Sequence, residues 1–538
     1  MVNQSSELLN VNVNSYHKAN FFCGFNRISE EDVHEVISKL DESKGRGPDD
    51  LPGIFVIKLG ASLVKPLNII FNRSINSGIF PKLWKVSFII PIFKSGSTAD
   101  VTNYRGICIS NVFTKVFEKI MFNVLFNEIR HSINSFQHGF VPNKSTVTNL
   151  LEFTSFLSKH IDNNSQIDCV YTDFQKAFDT VDHKLLINKL KSINLTDKYL
   201  IWIKSYLTDR AVYVKFNGVC SIKFSPPSGV PQGSVLGPLL FIIFINDIVS
   251  NLSSKCLLYA DDLKIFRTIE SQIDCHLLQY DLNILAEWCK RNKLKLNISK
   301  CNLISYTRKR NSILFNYTLN NLIIKRVETI KDLGILIDSR LSFNPHIDSI
   351  TTKANKLLGF VLRRCQDFTA YKPLIVLYTS LVRSQVEYCT QVWNPFYACN
   401  SARIESIQRR FSRCIFKKFR VSDVVPPYIN RLQKLNLMSL ESRRLYLDEL
   451  LLYKIINSIV HTSFISEVNL YVPAYRSRNL NLFKVVTSAT NAGLASPQYR
   501  LMINHDLFFS DQSLDIFDRS VYGFKSSMLN LINKYLIS

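Results

Sequence analysis

Hydrophobic and polar positions divide the chain into two stretches of different rhythm. Up to about residue 345, short apolar runs of strand length are mixed with helical spacing. From about Asp348, apolar residues recur at helical intervals to the end. Within the first stretch, Val33, Val36, Ile37 and Leu40 predict one buried helix face over Ile28–Leu40, with Ser29 as its N-cap. Ser87–Phe93 reads as a strand that turns at Lys94-Ser95-Gly96-Ser97 and returns through Asn103–Ile109. Asp168–Phe174 reads as a strand ending on an acid, followed by a helix that runs through Leu190. Tyr213–Phe216 and Ile222–Phe224 predict a hairpin around Asn217-Gly218. Ser228–Pro238 carries three glycines and two prolines, a backbone able to approach a ligand closely, and it leads into a helix over Leu239–Ile248. Lys255–Phe266 places Tyr259-Ala260-Asp261-Asp262 at the tip of an apolar hairpin. Ile284–Asn292 is a helix carrying Trp288, and Thr329–Asp338 is a strand with a turn.

The hairpin tip changes the picture most. Two adjacent carboxylates flanked by Leu and Ile are unfavourable unless a positive charge cancels theirs, and a divalent cation does so when acids and substrate phosphates share it. Asp173 supplies a third acid at a strand end. Asp179 and Asp182 fall in a first helical turn, where the macrodipole favours acids whatever their function. Lys94 and Arg105 stand on the two arms of one hairpin, a pairing suited to a phosphate chain. Three carboxylates can hold two Mg²⁺ ions, with Mn²⁺ as a substitute, and so activate a hydroxyl and stabilise a leaving pyrophosphate.

Composition narrows the partner. Hydrophobic residues make up 46% and aromatics 12%, which suits a folded protein rather than a disordered one. Lys plus Arg outnumber Asp plus Glu by 66 to 43, a net +23 over 538 residues. That distributed excess points to a polyanion, with nucleic acid ahead of an anionic membrane. Arg363-Arg364, Arg409-Arg410, Lys417-Lys418 and Arg443-Arg444, with Lys94 and Arg105, are expected to line one groove. No cysteine pair has CxxC spacing, and Cys220, Cys256, Cys301 and Cys389 read as reduced core residues. The polar start resembles neither a signal nor a transit peptide, and the longest apolar run, Leu239–Ile245, is too short to span a bilayer. These readings place the protein inside the cell, in the nucleus, the cytoplasm or both.

Taken in order, these motifs resemble the reverse transcriptases of non-LTR (LINE-type) retrotransposons, within them the jockey-like group. The resemblance runs from Lys44 through the C-terminal helices. It implies an α+β, right-hand polymerase, with fingers and palm interleaved over 26–345, an antiparallel palm sheet, and a helical thumb and C-terminal region over 346–538; the polar residues 1–25 read by composition as a poorly ordered segment. It implies RNA-directed DNA polymerase activity on a template RNA, a DNA primer or nicked target DNA, and dNTPs, with no membrane partner. By position, Asp173, Asp261 and Asp262 resemble the metal-binding acids. Gln232 and Gly233 lie in the loop at template and nucleotide, and Lys94 and Arg105 match the triphosphate-binding residues. Gln137, Gly139 and Phe140 match a short QxGF box. Trp288, Asn292, Asn297 and Lys300 match the segment behind the active site, with Lys300 as proton donor to pyrophosphate. Leu333 and Gly334 match the primer grip, and Tyr378, Arg383, Glu387, Tyr388, Trp393 and Pro395 match the helical region beyond. Ser384 stands where proline is common.

Phe178, five residues after Asp173, would pack under the sugar and exclude a ribose 2′-hydroxyl, which disfavours an RNA-dependent RNA polymerase. A maturase segment would favour a group II intron-type enzyme, and no such segment is recognised. Nothing in the chain resembles the endonuclease that usually precedes this polymerase, which leaves a truncated element or a gene-model fragment as the expectation. The competing reading is a domesticated or catalytically inactive RNA-binding protein; the presence of all three acids weighs against it.

Overall fold

The computed structural model describes residues 27–472, 481–485, 488, 490–509 and 514–535. The expectation for residues 1–25 lies outside them. The chain forms two compact units, Met1–Glu128 with Thr196–Ser225, and Ile129–Leu195 with Pro226–Ser538.

In the first unit, Ser29 caps the helix Glu30–Ser38 through a reciprocal bond with Asp32, as its sequence predicts. The sheet has the order β2-β1-β4-β5, from β1 (Val86–Phe93), β2 (Tyr104–Ser110), β4 (Ala211–Phe216) and β5 (Val219–Cys220). β1 and β2 are antiparallel, whereas β1 and β4 are parallel. The β4–β5 hairpin turns on Asn217 (φ 48°) and Gly218 (φ 82°), the left-handed pair that a two-residue hairpin turn needs. Its partner strand is Val219–Cys220 rather than Ile222–Phe224; only Phe224 returns, to bridge Val212. Cys220 is consequently exposed at a short edge, not core, while Cys256, Cys301 and Cys389 are buried thiols. Beside this sheet, Phe71, Phe80, Trp84, Phe117, Trp202 and Tyr206 pack as one aromatic cluster. Its polar atoms are satisfied: Trp202 Nε1 donates to Ser74 and the Tyr206 hydroxyl to Glu118.

The second unit is built on a five-stranded sheet of order β11-β8-β3-β7-β6. Its strands are β3 (Gln166–Thr172), β6 (Lys255–Tyr259), β7 (Asp262–Ile269), β8 (Asn302–Tyr306) and β11 (Lys325–Arg326). All pairings are antiparallel except the edge pair β11–β8. The alternation of β3 turns Cys169 and Tyr171 toward the helix Thr146–Asp162, where Phe153 packs edge-on against Tyr171, Phe266 and Tyr306. Two hairpins follow β8: β9 (Thr318–Leu319) with β10 (Leu322–Ile323), and β12 (Thr329–Asp332) with β13 (Ile335–Asp338). Beyond them the chain is mostly helical, through Asn344–Arg364, Ala398–Phe419, Leu440–Ile456, Pro497–Phe509 and Val521–Tyr535. The α+β architecture with an antiparallel-rich sheet and a helical C-terminal region is therefore as expected. Among the described residues no helix is long and apolar enough to cross a membrane.

Candidate active site

β3 and β7 set the site. Their antiparallel register ends at Thr172↔Leu263. One step further, Asp173 leaves β3 where Asp262 begins β7. The β6–β7 turn consists of Ala260, held at φ 57°, and Asp261. Asp173 is fixed from the other side, since its carbonyl accepts the Asn297 N–H at 2.7 Å while Gln175 N–H donates to Lys295. Its side chain stays 40% exposed, open to a ligand, and Lys300 Nζ stands 3.8 Å from its carboxylate.

The acids crowd one another. The Asp262 carboxyl is pushed up to about 6, first by partial loss of solvent and then by the charges of Asp261, Asp332 and Asp173, with Lys264 opposing. Asp262 still reaches solvent, so the acid crowding is the part with chemical consequence. Hard carboxylate oxygens in mutual repulsion are a donor set that fits Mg²⁺. Among the described residues no three His, Cys, Asp or Glu side chains already stand within a common metal-holding distance.

The Gly-rich loop is bound to the segment after Asp173. Gly229 N–H donates to Val181 and Val230 N–H to Phe178, both to backbone carbonyls. Ser228 Oγ donates to the Asp179 carbonyl, and Gln232 Nε2 donates to the Asp179 carboxylate at 3.0 Å. At Gly229 (φ 90°) a Cβ would fall 2.7 Å from the Asp179 backbone, so only glycine allows this approach. Gly233 (φ 108°) is exposed on the same loop. Asp179 is thus a loop anchor within a 3₁₀ turn, Ala177–Thr180, not part of a continuous helix. Asp182 caps the true helix, His183–Ser192, by accepting Leu185 N–H. Phe178 stacks on buried Phe241 at 4.2 Å and meets Phe140 edge-on at 6.1 Å, with its ring partly exposed.

Leu333 (φ 44°) and Gly334 (φ 94°) make the β12–β13 turn, and the Tyr388 hydroxyl donates to the Leu333 carbonyl at 2.9 Å. Just before that turn, Asp332 is buried against Lys264 of β7 at 2.6 Å. Nothing in the sequence pairs Lys264 with Asp332, although a lone Lys inside Leu263–Phe266 signals a partner.

Lys94 and Arg105 belong to the first unit. Arg105 pairs with Ile92 across β1–β2, and Lys94, two residues beyond Ile92, donates its backbone N–H to Asn103. Both side chains are exposed. In the second unit, Arg409, Arg410, Arg413, Lys417 and Lys418 are exposed along Ala398–Phe419, as are Arg363 and Arg364. Arg443-Arg444 departs from the expected groove. Arg443 pairs with Glu387, and buried Arg444 donates to Asn394 and Ser401. Both arginines are structural.

A sheet that holds three acids at strand ends, a glycine-rich loop bound behind the first and a turn beyond is the frame of a nucleic-acid polymerase. The chain belongs to the reverse transcriptase (RNA-dependent DNA polymerase) family, whose model matches residues 92–361. It is 32% identical over 404 residues to a probable RNA-directed DNA polymerase from transposon BS of Drosophila melanogaster, covering 72% of this chain and 44% of that protein. The RNA-directed DNA polymerase from mobile element jockey of the same fly is 28% identical over the same shares. A probable RNA-directed DNA polymerase from transposon X-element of that fly is 28% identical over 71% of this chain and 43% of that protein. The expected jockey-like, non-LTR kinship is met. The chain spans less than half the length of these relatives. A structure of apo telomerase from Candida tropicalis shares 13% identity, with a TM-score of 0.34, over 48% of this chain and 54% of that one.

Proposed function

We propose that the chain is an RNA-directed DNA polymerase of a jockey-like retrotransposon, extending a DNA 3′-hydroxyl on an RNA template with dNTPs. The observation that carries this reading is the meeting of Asp173, at the end of β3, with Asp261 and Asp262 at the β6–β7 turn, where their charges crowd. Asp173, Asp261 and Asp262 would hold Mg²⁺, two ions by family resemblance or Mn²⁺ in their place, which supplies Lewis-acid stabilisation of hydroxyl and pyrophosphate oxygens.

The remaining roles fall to this chain's own groups. Lys300, beside Asp173, donates a proton to departing pyrophosphate. Gln232 and Gly233 present the loop to template and nucleotide, and Phe178 occupies the space a ribose 2′-hydroxyl needs. Lys94 and Arg105 bind the triphosphate, and the Leu333–Gly334 turn supports the primer. The protein would act in the nucleus, the cytoplasm or both, with no membrane partner.

Primer extension by the purified chain on an RNA template, with Asp261→Asn beside wild type, tests the proposal. Extension should vanish in Asp261→Asn while binding to an RNA–DNA hybrid persists, because one carboxylate oxygen is exchanged at nearly constant volume. Hybrid binding without extension by wild type would overturn it in favour of a catalytically inactive RNA-binding protein.

A further inference from the structure

The turn that carries Asp261 has a dedicated support. The segment Phe136–His138 lies along β6 as a short parallel partner: Leu258 N–H donates to Phe136 O at 3.0 Å and His138 N–H to Leu258 O at 2.9 Å. Asn149 adds a bond to the Leu258 carbonyl at 3.0 Å. Between these contacts the Gln137 side chain points to the hairpin tip. Its Oε1 accepts the Ala260 N–H at 2.9 Å and the Gly139 N–H at 2.8 Å.

Ala260 is the left-handed turn residue, so its N–H points away from the β6–β7 ladder and needs a partner elsewhere. Gln137 is 2% exposed and provides that partner. The approach is close, for a Cβ on Gly139 would lie 2.2 Å from the Ala260 nitrogen. Beyond Gly139, Phe140 (φ 58°) reaches Phe178. One four-residue segment therefore contacts both the acid turn and the ring proposed to gate the sugar.

We infer that Gln137 is a positioning residue for nucleotidyl transfer, holding the Asp261–Asp262 turn in register through the Ala260 N–H without touching substrate. The inference rests on the polymerase reading. Gln137 is buried, so its loss should act on the chemical step and not on binding of hybrid or nucleotide. A displaced carboxylate is costly because misplacement by about 1 Å lowers rate on the order of 100-fold.

The test compares full-length wild type with Gln137→Met, which keeps the volume and removes the acceptor, and Gln137→Glu, which keeps an acceptor oxygen. Gly139→Ala is a second variant that leaves Gln137 intact and presses one carbon on Ala260. For each, kcat and KM for dNTP, hybrid affinity and Tm are measured. Gln137→Met and Gly139→Ala should lose roughly 100-fold in kcat, with KM and hybrid Kd unchanged to within about threefold. Gln137→Glu should recover most of that loss. Equal loss in Gln137→Glu and Gln137→Met, an undiminished kcat in Gln137→Met, or loss of hybrid binding in both Gln137→Met and Gly139→Ala would overturn the inference. In the last case Gln137 holds the fold and not the turn. A wild-type chain that extends no primer would fail the polymerase reading itself, which separates the two.

Discussion

Lys264 and Asp332 offer the sharpest test of how the site is braced. Lys264 sits mid-strand on β7, two residues past Asp262, paired across the sheet with Tyr171 and Leu257. Its ammonium lies 2.6 Å from the Asp332 carboxylate and 4.3 Å from the centre of the Phe153 ring. The two side chains are 4% and 6% exposed, so neither charge has water to fall back on. Lys264→Met keeps the stem and strands the carboxylate, and Asp332→Leu strands the ammonium. Each should cost about 3–5 kcal/mol, because an uncompensated buried charge remains. Lys264→Met/Asp332→Leu replaces both by apolar volume and should lie close to wild type, since desolvation and attraction nearly cancel in such a pair. Urea unfolding of the four proteins at neutral pH closes the cycle, with an expected coupling of about 6 kcal/mol or more, the sum of the two single losses. Single losses below about 1 kcal/mol that add in the double variant would refute the reasoning, showing both groups solvated in solution.

Two further outcomes follow from the same unit. Phe178→Ala should lower discrimination between dNTP and rNTP while costing about 1–2 kcal/mol, less than the 3–5 typical of a fully buried ring, since Phe178 is half-buried against Phe241. The ratio of dNTP to rNTP incorporation and the Tm check it; an unchanged ratio with a collapsed Tm would make Phe178 ordinary core. Glu152 gives a pH dependence. Burial alone would raise its carboxyl, but His138 and the bonds donated by Ser463 N–H and Thr462 Oγ hold it down, to about 2. A depressed carboxylate stabilises above its unfolded value of about 4.5 and loses that contribution as pH falls toward 2, here about 3 kcal/mol in all. The urea midpoint of wild type should therefore fall more steeply between pH 4.5 and 3 than that of Glu152→Gln, and parallel slopes would contradict it.

What could be read from the sequence was what is local. The Ser29 cap, the Asn217-Gly218 turn and the acid-tipped hairpin each depend on neighbours within a few residues, and each stands as expected. Motif order carried the family because its residues keep their spacing along the chain. Partners distant in sequence were not legible. Asp179 reads as a helix-favouring acid until the loop around Gly229 closes on it, and Gln137 reads as part of a motif with no role until Ala260 comes within 2.9 Å. Arg443-Arg444 looks like a surface charge pair. Successive helical residues, however, point about 100° apart, so one reaches Glu387 and the other turns inward to Asn394.

The helical C-terminal region, whose role sequence leaves open, is explained in part by the helix Thr146–Asp162. One side of that helix backs the five-stranded sheet: Leu150, Phe153 and Leu157 belong to the core shared with β3, β7 and β8. Leu151, on another side, belongs to a separate core with Leu452, Tyr453, Phe464, Leu501 and Phe524. Polar contacts follow the same division. Asp162 accepts from Thr490 N–H and Oγ1, and Glu152 accepts from Thr462 and Ser463 while facing His138, the neighbour of Gln137. A helix packed on two sides is stabilised by both cores, so residues beyond 440 act on the element that supports β3 and β6. In this unit the helix Thr146–Asp162 is thus shared by two cores, one behind β3, β7 and β8, which the helices Asn344–Arg364 and Ala398–Phe419 join directly, and one built with Leu452, Tyr453, Leu501 and Phe524.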